Sequence, residues 1–215
     1  MGVARGLIAA LVLASTSVAA AGPLAPGVEV DWTRGAITAT AVGPADRNAP
    51  SPAVAHVAAV RAAERLARER LGQALAAVPT VGAAIDPAAP AVARELAVAP
   101  VVTIVRGTDG SARVTVQLGV EALRQASAGP RVVRGDDGAP ARVVIDARAT
   151  AATPRVGLSI ATGAGRWRGP VLYATEVPAD TTAVVATAAS ADAVTIAGPP
   201  PPTGAVVVVV VRSLP

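Results

Sequence analysis

The sequence predicts an α+β fold, in which a long helix packs on an antiparallel sheet to form two layers and a β-rich C-terminal part follows. Apolar residues recur every three or four positions over residues 52–77, which is typical of a buried helix stripe. β-branched residues alternate over residues 30–42, and short apolar segments between Gly and Pro fill the second half. We expect an α/β domain at residues 28–129 and a β-rich region at residues 130–215, either separate from that domain or continuous with it.

The first 21 residues have the pattern of a secretion signal. Arg5 precedes an apolar run over residues 7–13, and Ala19 and Ala21 have the small-x-small spacing that a signal peptidase recognises. The apolar run is too short for a membrane-spanning helix, which needs about 20 such residues. We therefore expect cleavage after Ala21 and no transmembrane span after that cleavage. The expected mature protein is exported and is periplasmic or associated with the outer membrane.

A strand and a long helix begin the predicted mature protein. Residues 22–28 form a Pro- and Gly-rich lead, and residues 30–42 follow as one strand. Ser51 and Pro52 begin the helix, because Ser is a good N-cap and Pro lacks an N–H group that the first turn would leave unpaired. The helix is expected over residues 52–77. Its predicted buried stripe consists of Val57, Val60, Ala63, Ala67, Leu71, Ala74 and Val78.

Shorter elements complete the predicted α/β domain. Residues 98–106 and 112–119 read as two strands, and the Asp109-Gly110 pair between them favours a tight hairpin turn. Residues 87–96 and 120–128 are expected to form short helices. The first half is therefore predicted to contain a strand, a long helix and a hairpin.

The second half is predicted to consist mainly of strands. Gly-rich and Pro-rich breakers occupy residues 163–165 and 198–204. The valine run at residues 206–211 suits a buried strand, and it would offer an open edge if it lay at the border of its sheet. The candidate strands are residues 141–147, 156–160, 171–177, 183–187, 194–197 and 205–212.

Composition excludes several classes of function. The chain has 19 basic residues, all of them Arg, and 15 acidic residues, for a net charge of +4. These charges are scattered, whereas a nucleic-acid partner needs a clustered basic stripe with aromatic residues among it. We therefore expect no nucleic-acid partner. The absence of Cys excludes disulfides, thiolate chemistry and a lipid-anchored Cys after the signal.

Two stretches resemble exported envelope proteins related to small outer-membrane lipoproteins and to the N-terminal domain of flagellar assembly protein T. The first is VDWTRGAITATAVGPAD, followed by the helix APSPAVAHVAAVRAAERLARERLGQAL with Arg61-Ala62-Ala63 in an ARxxA-like rhythm. The second is ARVVIDARATAATPRVGLSIATGAGRWRGPVLYA, in which residues 144–148 resemble a VVDARG strand and residues 168–170 an EVYGP turn. The lipoproteins' anchoring Cys is absent, and Ala149 stands where Gly is usual. The resemblance implies a non-enzymatic envelope or flagellum-associated protein.

Few residues offer chemistry, and we predict no catalytic, cofactor-binding or metal site. His56 is the only His, whereas a metal site needs three or four converging ligands. Asp136-Asp137 lies between two glycines, a pattern more typical of a turn than of a cation loop. A nucleophile elbow and a second His are absent from the sequence. We therefore expect a protein that is not an enzyme and that has no cofactor.

Acidic residues of the second half leave one alternative open. Asp146 and Arg148 lie two residues apart on a predicted strand, so we expect an ion pair. Asp146 and Glu176 are the acids that a paired-carboxylate hydrolase would use, if they lay across a cleft. The alternative function is therefore a periplasmic small-ligand carrier or hydrolase whose site is built from scattered Asp and Arg residues.

Contacts with a partner protein are expected at two places. Trp167 lies between Arg166 and Arg168, and both residue types are enriched in interface hot spots. In one interpretation the Trp is exposed beside the two Arg; in the other it covers the sheet core with the Arg in solvent. The helix face with Arg61 and Arg65 is the second candidate. The predicted function is thus a structural or protein-binding envelope component, whose partners are other envelope proteins or copies of itself.

Overall fold

The structure, a computed structural model, describes residues 21–128 and 141–215. The predicted secretion signal, except for Ala21, and the Asp136-Asp137 pair lie outside these residues. Helices and strands are both present, which confirms the predicted mixture of the two, and the strands form two separate sheets. The described helices include none that is both long and apolar enough to cross a membrane.

The first sheet has five antiparallel strands in the order β1-β2-β3-β5-β4. The predicted hairpin is confirmed as β4 and β5, and Gly110 adopts a positive φ of 84° in its turn. This conformation suits glycine because it has no Cβ. The five strands are β1 (Ala21–Ala25), β2 (Val28–Asp31), β3 (Ala36–Gly43), β4 (Val101–Arg106) and β5 (Ala112–Gly119).

Two expectations about the start of this sheet are wrong. Residues 30–42 do not form one strand, because the chain reverses between β2 and β3. The Asp31 carboxylate accepts hydrogen bonds from the backbone N–H and the hydroxyl of Thr33, and Gly35 follows with a φ of 62°. The predicted lead is also a strand, since β1 pairs with β2, and it places part of the sheet before the expected domain start at residue 28.

The long helix lies where the sequence predicts it. Helix α1 (Pro52–Ala74) continues into a 3-10 turn (Leu75–Ala77), and its N-cap Ser51 accepts a hydrogen bond from the backbone of Val54 at 3.3 Å. The buried stripe differs at its start, because Val57 is half exposed. The buried residues of the helix are Ala59, Ala63, Ala67, Leu71 and Ala74.

Helix α1 contacts β3 and β5 of the first sheet. Gly43 at the end of β3 lies so close to the helix backbone that a Cβ there would collide with the carbonyl oxygen of Ala59. The small residues of the stripe therefore permit a close approach of helix and strand. Two short helices, α2 (Pro90–Val98) and α3 (Val120–Ala128), contact each other, and both confirm predicted elements.

The second sheet has seven strands and mixes parallel and antiparallel pairs. Their order is β8-β7-β11-β10-β6-β12-β9. The valine-rich β12 is parallel to both of its neighbours, β6 and β9, so the expectation that it could be an open edge is wrong. The seven strands are β6 (Arg142–Asp146), β7 (Ser159–Thr162), β8 (Gly165–Trp167), β9 (Val171–Ala174), β10 (Val184–Ala189), β11 (Ala193–Ile196) and β12 (Val206–Val210).

Two aromatic residues join the halves of the chain. The rings of Trp32 and Tyr173 meet edge to face with centroids 5.6 Å apart, and the Tyr173 N–H donates to the Trp32 carbonyl at 3.0 Å. The buried Tyr173 hydroxyl donates to the Arg155 carbonyl at 2.8 Å and accepts from the Arg155 N–H at 3.0 Å. Buried residues from both halves belong to one apolar cluster. The division at residues 129 and 130 stays a prediction.

Candidate functional site

The hairpin of β7 and β8 positions the Trp and Arg residues that the sequence singles out. In this hairpin Ala161 pairs with Arg166 and Ile160 pairs with Trp167. Successive side chains of a strand point to opposite faces. The strand therefore directs Trp167 to one side and Arg166 and the following Arg168 to the other. The glycines at positions 163 and 165 predict a turn here, and the structure instead has a short strand that begins at Gly165.

Trp167 faces the core. Its side chain is buried, with 5% of the residue exposed, and the indole Nε1 donates to the Pro202 carbonyl at 3.3 Å. The interpretation with an exposed Trp is therefore wrong, and the interpretation in which the ring covers the sheet core is confirmed. Any contact with a partner at this place would be made by Arg166 and Arg168, both of which are exposed.

Arg166 and Arg168 line a pocket with a third arginine, Arg124 of helix α3. We call this the arginine pocket; its volume is about 200 Å³. Asp192 and the residues that lead into β7 complete its wall. The Ser159 hydroxyl and N–H both donate to the Asp192 carbonyl, at 2.8 and 3.1 Å, which fixes the loop with Asp192 beside β7.

Two of the three arginines are paired with carboxylates. Arg124 donates two hydrogen bonds to Glu121 at 2.7 and 2.6 Å, and Arg166 donates to Asp192 at 2.7 Å. The guanidinium group of Arg168 has no hydrogen bond or ion pair with the described residues. The pocket therefore has one positive charge that the described carboxylates do not compensate.

Hydrogen bonding shifts the pKa of one group in each pair. The Ser190 hydroxyl and the Arg166 guanidinium donate to the Asp192 carboxylate and lower the pKa of Asp192. Hydrogen bonds to Glu121 raise the pKa of Arg124. These shifts stabilise the carboxylate form of Asp192 and the guanidinium form of Arg124.

The other predicted contact residues lie elsewhere. Arg61 and Arg65 are exposed on α1 and do not line the arginine pocket. The sequence analysis did not single out Arg124. The only local pattern around it is the spacing of three residues from Glu121 on a short helix, which indicates an ion pair and not a site.

The remaining residues considered for chemistry form no group with a metal-binding arrangement. Within residues 21–128 and 141–215, the structure contains no cluster of three or more metal-ligating side chains. The expected pair of Asp146 and Arg148 is confirmed by two hydrogen bonds between the side chains, at 3.0 and 2.7 Å. These bonds lower the pKa of Asp146, and Arg148 is also attracted by the charge of Glu176. Arg148 thus pairs with Asp146, the acid that a hydrolase would need free.

The outer strand of the first sheet is the second candidate site. Among the described residues, strand β4 pairs with β5 on one side and has no neighbouring strand on the other. Val102, Ile104 and Val105 are 47%, 52% and 53% exposed, and Val98 before the strand is exposed as well. We call this strand with its aliphatic side chains the β4 edge. An assembly component is expected to have such an edge.

No protein-family model matches this chain, and no curated protein is similar to it. The resemblance to exported envelope proteins therefore stays a prediction from the residues quoted above.

Proposed function

We propose that this chain is an exported, non-enzymatic structural component of the cell envelope that assembles with a second copy of itself through the β4 edge. The open edge is the observation that carries the proposal. The secretion-signal pattern and the resemblance to envelope proteins support the exported location. The contacts of α1 with β3 and β5 support a two-layer first half beside a β-rich second half.

Strand addition would satisfy the unpaired side of β4. The outer N–H and C=O groups of an edge strand are a template for pairing with another chain, and native edges are usually protected by charges, proline or bulges. Strand β4 has an irregular register between Val101 and Thr103 and a charge at Arg106. Between these two features its residues are uncharged and exposed, so the protection is partial.

The charge pattern of the strand favours a second copy as the occupant. In an antiparallel pair with Thr103 opposite Thr103, Ile104 of one copy lies opposite Val102 of the other. Arg106 then lies beyond Val101 of the other copy, so the two Arg106 side chains do not face each other. Like charges directly opposite each other would destabilise the pair. Valine and isoleucine side chains then meet on both sides of the central Thr103 pair.

The chain's lack of Cys makes a direct test possible. A single Thr103→Cys substitution introduces the only thiol, and pairing with Thr103 opposite Thr103 brings two such thiols within disulfide distance. Expressed with its N-terminal segment in cells, this variant should accumulate as a disulfide-linked dimer in an oxidising compartment outside the cytoplasm. The matched control is Val185→Cys, at an exposed position of β10 in the other sheet.

Two results would overturn the proposal. If the Thr103→Cys protein stays in the cytoplasmic fraction, export is wrong. If it is exported but forms no more dimer than Val185→Cys, assembly through β4 is wrong. Light scattering of the purified chain gives an independent readout, because Ile104→Lys should convert the dimer to a monomer.

The small-ligand carrier is the second candidate function. The arginine pocket is the observation that favours it, because arginines from two elements line one pocket. A carrier of this type would bind its ligand without a partner protein.

A further inference from the structure

Three arginines from separate parts of the fold line the arginine pocket. Arg124 comes from α3, whereas Arg166 and Arg168 come from one face of β8 and its extension. Like charges repel, so a folded chain brings them together only where carboxylates or a bound anion compensate them. Glu121 and Asp192 supply two such carboxylates.

The third charge has no described partner. Arg168 is exposed, lines the pocket and makes no ion pair with the described residues. Arg166 donates one hydrogen bond to Asp192. A guanidinium group has five N–H donors, so the other donors of Arg166 do not take part in that bond. Planar donor groups of this kind match an oxyanion that accepts two parallel hydrogen bonds.

The pocket volume limits the size of the anion. Small-molecule sites usually enclose about 300–1,000 Å³, whereas this pocket encloses about 200 Å³. That space accommodates a single charged group, and the rest of a larger ligand would lie outside the pocket.

We infer that the arginine pocket binds a single carboxylate group, held by Arg168 and Arg166. One negative charge compensates the one guanidinium of the pocket that has no partner among the described residues. A phosphate group carries a charge of about −1.5 to −2 at neutral pH, which exceeds that charge and adds repulsion from Asp192. The carboxylate is either that of a free small acid or the terminal carboxylate of a peptide, and both present the same two oxygens.

Titrations followed by NMR of the arginine Nε–H groups test this inference. The probes are acetate, inorganic phosphate, N-acetylated tri-alanine with a free carboxylate, and the same peptide with a C-terminal amide. We expect saturable shifts with acetate and with the free-carboxylate peptide, and weaker binding of phosphate. The amidated peptide should not bind. Tighter binding of the peptide than of acetate would identify a peptide terminus as the source, whereas equal binding would identify a small acid.

Variants connect the binding to Arg168. We expect Arg168→Gln to weaken acetate or peptide binding by at least about tenfold, because a charge-assisted hydrogen bond is lost. The matched control is Arg94→Gln, which removes an equal charge from an exposed position of α2 and should leave affinity unchanged. No saturable binding of any carboxylate, equal loss in both variants, or tighter binding of phosphate would overturn the inference. The Ile104→Lys variant should bind as the parent does, so this result is separate from assembly at β4.

Discussion

Strands β4 and β12 have similar compositions and opposite surroundings. Valine makes up three of the six residues of β4 and all five of β12. Strand β12 lies between β6 and β9 and is almost wholly buried, whereas β4 is the last described strand of its sheet and is almost wholly exposed. Burial of a strand is therefore decided by its neighbours, and the apolar character of its own residues is equally compatible with either position. One valine-rich strand thus forms part of the core of its sheet, and the other offers a potential interface.

A charge in the buried strand should have the largest effect. Val209 of β12 is fully buried in the apolar cluster, so Val209→Asp places a carboxylate among apolar side chains. We expect a loss of more than about 4 kcal/mol in the free energy of unfolding, measured by urea denaturation, or failure to fold. An unchanged urea midpoint would show that β12 is not central to its sheet.

The neighbour of β12 gives a test of intermediate size. Tyr173→Phe on β9 removes the hydroxyl that pairs with both backbone groups of Arg155, and it retains the ring beside Trp32. Unfolding should become easier by about 1–3 kcal/mol. Near-UV circular dichroism provides the control, because the Trp32 signal should persist if the ring packing is intact.

The other neighbour, β6, ends in the ion pair of Asp146 and Arg148. Its hydrogen bonds depress the pKa of Asp146 in the folded state, so the stabilisation is present above the unfolded value of about 3.9 and is lost as the pH falls through the folded value. The pair is partly exposed, so we expect Asp146→Asn to cost less than about 1 kcal/mol at pH 7. Urea curves of parent and variant should converge in strong acid; a constant difference would contradict this assignment.

The open strand should show the smallest effect on stability. Val105→Asp on β4 repeats the substitution of Val209 at a half-exposed site, where water solvates the new charge. We expect the free energy of unfolding of the monomer to change by no more than about 0.5 kcal/mol, while the dimer is lost in light scattering. Destabilisation comparable with that of Val209→Asp would mean that β4 is covered within its own chain.

Elements specified by neighbouring residues were predicted well. Helix α1 begins at Pro52 as expected, because the Ser51 cap and the helical periodicity are local features. The hairpin of β4 and β5 has a local turn at Gly110 as well. The turn at Asp31 was missed even though it is local, because its side-chain hydrogen bonds interrupt a segment that is β-branched on both sides.

Features that depend on long-range pairing could not be predicted. The place of β12 between two distant strands does not follow from its own valines. The arginine pocket combines Arg124 with Arg166 and Arg168, which come together only through tertiary packing. Arg166 and Arg168 are recognisable from their positions on either side of Trp167. The directions of the Arg166, Trp167 and Arg168 side chains depend on strand β8, and the glycines near it predict a turn instead of a strand.

The position of β12 in the chain also affects the order of folding. Arg142 of β6 pairs with Val206 of β12, and every strand of the second sheet precedes β12 in sequence. Most pairs of the first sheet close short loops, whereas β6 and β9 lack their shared neighbour until residues 206–210 are available. A chain that emerges N-terminus first should therefore form its first sheet early. The second sheet stays incomplete until β12 is available, and we expect its long-range strand pairs to form slowly because their contact order is high.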